Sequence, residues 1–320
     1  MTLTETALDR EMLLVPVPAV PPATVGRDVA ARASAGDATR SGSTNRTVAR
    51  SALVVLAVVT LGMVLQLTVI SHLEYRSAQV SLLNRFRTQL ALGTAPLGGV
   101  GSDHHLLPMG TPIALVTVPA IGVRAVVLEG TTASVLAKGP GHLRDTVFPG
   151  GAGTSVLLGR AAAYGGPFGR IADLTPGQVI TVVTQVGTSR FRVVRVRTAG
   201  ARVRPAAAGT ARLTLGTAAG TAFAPSGVVW VDADKVGAPL PSAAVPAVPL
   251  LPGELPLATD TSTLWALLLW LEALVLLLVG TVWTWKRWGR AHALIIFTAP
   301  MLLVWTLMAD QVARLLPNLL

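Results

Sequence analysis

Two apolar runs near the end of the chain limit every fold open to it. Leu264–Trp285 and Ala291–Ala309 are each long enough to cross a hydrocarbon core as a helix, and only Lys286-Arg287-Trp288-Gly289-Arg290 separates them. In lipid every backbone N–H and C=O must be satisfied within the segment, so such runs are helical, and a connection this short makes them a hairpin. Six of the seven tryptophans fall in this region, several near the ends of the runs, where an interfacial belt places them. Pro300 predicts a kink in the second helix. A third run, Ala52–Ile70, has 19 residues without a charge. As a helix it would span roughly 28 Å. Three transmembrane helices are therefore expected, at 51–71, 263–285 and 291–310, with a loop at 286–290. They account for a chain that is 51% hydrophobic and only 13% charged.

Orientation follows from the basic residues. The hairpin loop carries Lys286, Arg287 and Arg290, no Lys or Arg lies between Lys235 and Lys286, and only Arg314 follows. Cytoplasmic loops hold the excess of Lys and Arg, so this loop and the tail 1–50 are expected in the cytoplasm. The region between the first two helices and residues 311–320 are then outside, which makes the chain a multi-pass protein of the cell membrane. Arg40, Arg46 and Arg50 on one side of Ala52–Ile70 balance Arg76, Arg85 and Arg87 on the other, so the first helix does not decide the matter. Glu272 is the one ionisable residue inside Leu264–Trp285. A carboxyl at that depth is costly, so Glu272 is a candidate contact for a partner, or else a protonated group bonded within the hairpin.

The flanking segments are of three kinds. Residues 1–50 hold Pro-Val-Pro-Ala-Val-Pro-Pro at 16–22 and a Ser/Gly/Thr-rich stretch, and read as disordered, with a short helix near Ala7–Leu14. In 72–95, Leu73, Val80, Leu83, Phe86 and Leu90 share one helical face, with Gln79 among the residues elsewhere. That pattern fits either a stalk continuing the membrane helix or a helix packed on a domain surface, stopped by Gly93 and Pro96. Residues 96–112 and the Pro/Ala-rich 236–262 read as linkers, the second extended and semi-rigid.

Between the linkers, 113–235 changes to short β-type runs broken by Gly/Pro turns. The candidates are Ile113–Val118, Val123–Leu128, Ser155–Leu158, Val179–Thr184, Ser189–Arg197, Arg212–Thr217 and Val228–Val231, with short helical turns at Thr132–Ala137 and Phe168–Leu174. Strands at this spacing predict a barrel or sandwich. Ser155–Leu158 runs into Gly159 and presents Arg160, followed by three alanines and Tyr164-Gly165-Gly166-Pro167. A loop at the end of a buried strand is where a scaffold presents its chemistry, and an arginine there binds anions but is a poor general base.

Several function classes drop out. There is no cysteine, hence no disulfide, thiolate metal site or cysteine nucleophile. His104 and His105 are adjacent and point different ways in an extended chain, with no third ligand, so no metal and no cofactor is expected. The net charge of +10 comes without a nucleic-acid-binding motif, which points to anionic lipid or cell-wall polymer. Arg190, Arg192, Arg195, Arg197, Arg202 and Arg204 form either a basic ledge for such a polymer or a solvated edge strand. Their parity changes at Val193-Val194, so they share one strand face only if a bulge intervenes.

A series of short segments then acquires meaning in order: Val118-Pro119-Ala120-Ile121-Gly122-Val123, Val127-Leu128-Glu129-Gly130-Thr131, Gly139-Pro140-Gly141-His142, Phe148-Pro149-Gly150 through Leu158-Gly159, Tyr164-Gly165-Gly166-Pro167-Phe168 with Leu174-Thr175-Pro176-Gly177, and Leu213-Thr214-Leu215-Gly216-Thr217-Ala218. Together they resemble the sortases, the cell-surface transpeptidases of Gram-positive bacteria, most closely the actinobacterial class E type. The resemblance implies a mainly β chain, with a closed barrel of about eight strands outside the membrane. It also implies a site of three groups: a cysteine that attacks a sorting-signal peptide, a histidine that moves protons, and an arginine that stabilises the oxyanion. Carried over by position, the histidine falls on Arg160, the cysteine on Ala218 and the arginine on Gly227. Substitute nucleophiles would be Thr217 and Ser226, and the candidate groove lining is Arg160, Tyr164 and Thr217; His142 reads as structural. The expectation is a non-catalytic homologue that binds a surface peptide, a wall precursor or a membrane-protein partner. The alternative is an active transpeptidase or peptide hydrolase with a nucleophile other than cysteine.

Overall fold

Alternation along the middle third of the chain is converted directly into a barrel. In β5 (Val179–Thr184), Ile180, Val182 and Thr184 are buried. In β6 (Gly187–Arg197), Ser189, Phe191 and Val193 point inward while Arg190 and Arg192 face solvent. The other strands are β1 (Pro112–Val118), β2 (Val123–Glu129), β3 (Gly141–His142), β4 (Gly153–Leu158), β7 (Ala211–Thr221) and β8 (Ala224–Lys235). They close in the order β1-β2-β3-β4-β7-β8-β6-β5, with β2/β3 and β4/β7 parallel and the other neighbours antiparallel. The interior is filled by Ile113, Val127, Phe168, Ile180, Phe191 and Leu213 among others. This computed structural model describes residues 53, 57, 60–101, 105–198, 203, 205–221, 224–245, 249–259 and 263–320. The expected tail 1–50 with its helix near 7–14, residues 52, 54–56, 58 and 59 of the run 52–70, His104, Arg202 and Arg204 lie outside the described residues.

Strand β3 has no counterpart among the expected strands, because its two residues sit inside a Gly-Pro-Gly turn signal. Pairing on both sides makes it a strand: Gly141 aligns with Leu128 of β2 and with Leu158 of β4. A Cβ on Gly141 would meet the Gly130 carbonyl oxygen at 2.2 Å and Leu136 Cδ2 at 3.0 Å. The nearer obstacle is backbone, and Gly141 is held from both sides. Gly141→Ala is therefore expected to cost about 3 kcal/mol, measured by denaturant unfolding. A cost below about 1 kcal/mol would show that β3 is free to shift.

A bulge interrupts β6 where the parity of the arginines changes. Against β8, Val193 aligns with Ala233 and Arg195 with Asp232, so Val194 is the extra residue. Its effect is to turn Arg195 and Arg197 toward Asp232, which is 1% exposed. Arg197 Nη2 donates to Asp232 Oδ1 at 2.9 Å, and Thr214 Oγ1 donates to the same oxygen at 3.1 Å. Half of the described arginines of the ledge are thus engaged in pairing within the sheet, while Arg190 and Arg192 remain at the surface.

A π-helical turn, Gln66–Ile70, leads into α1 (Ser71–Leu92), which ends at Gly93 in the left-handed conformation that only glycine adopts without strain. Of the two readings of this helix, packing on the barrel is the one observed. Phe86 is buried with Val126, Leu128 and Val135, whereas Leu73 and Val80 of the expected apolar face are exposed. The reason is Gln79. It lies over the part of β2 that β3 is too short to cover. Its Oε1 accepts from Val126 N at 2.7 Å, and its Nε2 donates to the Val126 and Lys138 carbonyls at 3.2 and 2.8 Å. A glutamine side chain finishes the strand edge, and the helix is rotated to bring it there.

After the short α2 (Ala133–Leu136) and the barrel, the Pro/Ala-rich segment does not remain an extended spacer. Pro252–Glu254 forms a 3-10 turn, and Glu254 is wholly buried against the barrel. Two long helices follow, α3 (Leu264–Trp288) and α4 (Arg290–Leu315), with Gly289 alone between them at φ 94°. The loop expected at 286–290 is mostly helical, since Lys286 and Arg287 lie in the last turn of α3, where cations suit the helix dipole. Among the described residues, these two helices are long and apolar enough to cross a membrane. Pro300 lies inside α4, which continues helically across it. Glu272 is exposed on α3 rather than buried within the hairpin.

Candidate functional site

β4 and β7 run side by side in parallel, with Leu157 opposite Leu215 and Leu158 opposite Gly216. The pairing continues one residue further, since Gly159 N donates to Gly216 O at 3.0 Å. Only glycine fits at Gly159, where a Cβ would lie 2.6 Å from the Phe168 ring. Thr217, next on β7, donates its hydroxyl proton to the Gly159 carbonyl at 2.8 Å and is 2% exposed. On the other side of β7, Ala218 aligns with Val228 and Ala219 with Gly227. Neighbouring strands are about 4.8 Å apart, so Arg160, Ala218 and Gly227 fall within roughly 10 Å at one end of β4, β7 and β8. Ser226 lies at the exposed rim, its hydroxyl 3.4 Å from Ala219 O.

Arg160 is not a surface anion binder. It is 1% exposed and the largest fully buried side chain among the described residues. Nη2 donates to Ala133 O at 3.1 Å, Nη1 donates to Leu320 O at 3.3 Å, and the guanidinium lies 4.7 Å from the centroid of the Tyr164 ring. Its Nε–H has no partner. Burial lowers its pKa from the ordinary arginine range to about 10, against the opposing pull of Tyr164 and Asp310. Leu319 and Leu320, which follow α4, lie over it.

Tyr164 sits at φ 50°, a conformation rare for a bulky residue, and is held there from several sides. Its N–H donates to Ser71 Oγ at 3.2 Å, and its hydroxyl donates to Asp310 Oδ1 at 3.4 Å. Ala163, Tyr164 and Ala313 form a small cluster with Leu67 and Tyr75 against it. The loop after β4 is thus clamped between the start of α1 and the end of α4. His142 is buried, as a structural residue would be: Nδ1 lies 3.0 Å from Glu129 Oε2, and Nε2 lies 3.0 Å from Val147 O and 3.1 Å from Thr146 Oγ1. Among the described residues no group of His, Asp and Glu is placed to hold a metal ion.

Burial raises both tyrosines of the chain, Tyr75 and Tyr164, from 10.0 to about 12. The folded protein therefore keeps two protons that the unfolded chain loses between these values, and the stability they confer is lost as pH rises through that window. Arg160 acts in the opposite sense, because the folded state releases its proton first. With two tyrosines against one arginine, stability is expected to fall above about pH 10. An ultraviolet absorbance titration should place half-ionisation of tyrosine near pH 12 in the native protein and near 10 in denaturant. A native midpoint at the ordinary value would contradict the packing of this loop.

Residues 116–226 match the sortase domain family. Over that stretch the chain is similar to a sortase domain. The solved structures it is similar to include the sortase D5 transpeptidase of Clostridium perfringens, at 20% identity and a TM-score of 0.42, over 50% of this chain and 99% of that one. Sortase E1 from Streptomyces coelicolor is 22% identical, with a TM-score of 0.36, over 41% and 91%. Sortase C-1 from Actinomyces oris is 24% identical, with a TM-score of 0.35, over 39% and 75%. No curated protein matches the chain.

Sequence reasoning missed three participants. Arg144, Glu254 and Asn318 fix the segments around the site and lie far apart in the chain. Glu254 accepts two hydrogen bonds from Arg144, and Asn318 Nδ2 donates to Thr131 O at 3.0 Å. The one signal available was a carboxylate and an asparagine, each next to a proline-bearing stretch that had no other reason to hold them.

Proposed function

We infer that this is a non-catalytic sortase homologue, anchored in the membrane, whose barrel binds a surface peptide rather than cleaving and transferring it. The observation that carries the reading is the hydrogen bonding at the β4/β7 junction. Thr217 donates its proton to a carbonyl oxygen, and Arg160 donates to two main-chain oxygens. A carbonyl is no base, and a threonine bound to one has nothing to make it a nucleophile. The position next to it on β7 is an alanine, and the chain has no cysteine. On this reading Arg160, Ala218 and Gly227 are the family's histidine, cysteine and arginine positions. The barrel is kept for recognition of a sorting-signal-like peptide, with a wall precursor or a membrane-protein partner as related ligands at the surface of a Gram-positive cell.

The topology that goes with it has the tail 1–50 in the cytoplasm, a first span at 51–71, the barrel outside, and α3 and α4 as a returning hairpin. Two features support this. The residues just before α3 and just after α4 both dock on the barrel, and the Lys286, Arg287 and Arg290 cluster lies at the far turn. Exposed Arg190 and Arg192 on β6 would face anionic wall polymer.

The test is turnover. Full-length protein in detergent would be incubated with a broad peptide pool and an amine acceptor. No cleavage and no transfer product is expected. Turnover that disappears in Thr217→Val or Ser226→Ala would overturn the reading and establish a nucleophile other than cysteine.

A further inference from the structure

The wall of the barrel opposite the β4/β7 junction carries a different arrangement. In the closed order β1-β2-β3-β4-β7-β8-β6-β5, β1 and β5 lie half-way round from β4 and β7. Three cross-strand pairings meet there: Arg124 of β2 with Thr117 of β1, Thr117 with Thr181 of β5, and Thr181 with Arg190 of β6. Residues directly opposite one another share a face of the sheet. Arg124, Thr117, Thr181 and Arg190 therefore form one row across four strands, about 14 Å from end to end at the usual strand spacing. The row is on the outside, since both arginines are exposed and both threonines half-buried, while Ile180, Val182 and Phe191 fill the interior. Arg192, two residues along β6, is exposed on the same face.

Charge on this wall is one-sided. β1, β2, β5 and β6 hold five arginines and a single carboxylate, Glu129. Glu129 is 1% exposed and bonded to His142. Arg195 and Arg197 are paired with Asp232. Asp234 lies opposite Arg192 on β8, but both its carboxylate oxygens accept from Arg212, at 2.7 and 3.1 Å. Among the described residues, Arg124, Arg190 and Arg192 have no ion pair.

The row sets the chemistry and shape of what it can hold. Guanidinium and hydroxyl groups donate to anionic oxygen, and arginine meets phosphate bidentately. A single small anion engages one end of the row only. The closed barrel offers no edge to which a peptide could add as a strand. Beside Arg124 a groove of about 130 Å³ is lined by Val80, Leu83, Leu115 and Val126 among others, close in size to a cavity that holds one benzene ring, so it does not seat an acyl chain. We propose that Arg124, Thr117, Thr181 and Arg190, with Arg192 beside them, form a second binding site, for an extended phosphodiester polymer laid across β2, β1, β5 and β6. Phosphates sit on the arginines, and the threonine hydroxyls donate between them. The site rests on the reading that places the barrel outside the membrane, and it is independent of what the β4/β7 junction binds.

The test is binding of a synthetic poly(glycerol phosphate) chain to full-length protein in phosphatidylcholine nanodiscs. Saturable binding is expected, weakening roughly tenfold between about 50 and about 200 mM salt, because each guanidinium–phosphate contact releases counterions. Arg124→Gln and Arg190→Gln should each weaken it about fivefold and lower the salt slope by about one, and the double variant should lose at least about twentyfold. Both positions are exposed, so the variants fold. Arg170→Gln, at an exposed arginine outside the row, should change the affinity less than about twofold. No saturable binding, or binding unaltered in the double variant, overturns the proposal. So does an equal loss in Arg170→Gln, which would mean that net charge alone attracts the polymer. Dihexanoyl phosphatidylglycerol and poly-glutamate are tested beside it. If either binds as tightly as the polymer, the row is a lipid-headgroup or acidic-peptide site and the proposal fails. Peptide turnover at the β4/β7 junction is scored separately. It would overturn the non-catalytic reading and leave this site standing.

Discussion

Arg144→Met is expected to destabilise the protein by about 3–5 kcal/mol, the cost of leaving a buried charge without its partner. The side chain of Glu254 is 0% exposed, and that of Arg144 is 11% exposed. Arg144 donates Nε to one carboxylate oxygen and Nη2 to the other, both at 2.8 Å, and Leu251 N donates to Oε2 at 2.9 Å. This bidentate pairing offsets the desolvation of the carboxylate. In Arg144→Met a single backbone N–H remains to a buried carboxylate. The pair also anchors the segment ahead of α3, since Thr131 Oγ1 donates to Glu254 O at 2.6 Å and Asn318 reaches Gly253 O and Leu255 O. Urea unfolding of the full chain in detergent measures the loss. Adding Glu254→Gln should recover part of it, which completes a double-mutant cycle. A loss below about 1 kcal/mol would place the pair among ordinary surface bridges and contradict the docking of the linker.

Arg160→Ala is expected to cost about 3–5 kcal/mol, because it empties the volume of a large, fully buried side chain. Arg160→Met should cost no more than about 1 kcal/mol, because volume is kept and the desolvated charge is removed. Little is left unsatisfied in the methionine variant. Ala133 O still accepts from Ala137 N at 3.0 Å, so the losses are the contact to Leu320 O and the guanidinium's contact with the Tyr164 ring. The contrast separates two roles for the residue. If Arg160 served mainly as a cation, methionine would be as damaging as alanine. If it is chiefly packing that carries a guanidinium, the two variants diverge as stated. Thermal unfolding of both, followed by circular dichroism, decides between them.

β5 and β6 are readable because alternation names the inward face, and the parity of the ledge arginines permits one shared face only with a bulge, which lies at Val194. β3 was not readable, because two residues carry no period and its strand character comes from neighbours on both sides. Gln79 was placed on the polar face of its helix, as periodicity demands. The uncovered stretch of β2 then drew it inward, because an unpaired strand edge under a helix must be satisfied by something. At the site, the positions Arg160, Thr217 and Ala218 were legible as neighbours in a motif order. The residues that cover Arg160 were not, because Leu320 is separated from it by 160 residues.

The sequence by itself determined what is local or periodic: the hairpin from two long apolar stretches, the strands from alternation, the stops from Gly93 and the proline-bearing turns, and the lack of a thiol from composition. The tertiary structure alone decided which distant groups meet. Arg144 with Glu254, Gln79 with Val126, and Asn318 with Thr131 are separated by 110, 47 and 187 residues. The physical reason is that burial of apolar faces leaves a repeating trace in the chain. A single side chain that satisfies one buried carbonyl or carboxylate leaves none, since its partner is backbone or a lone charge brought near only by the closed barrel.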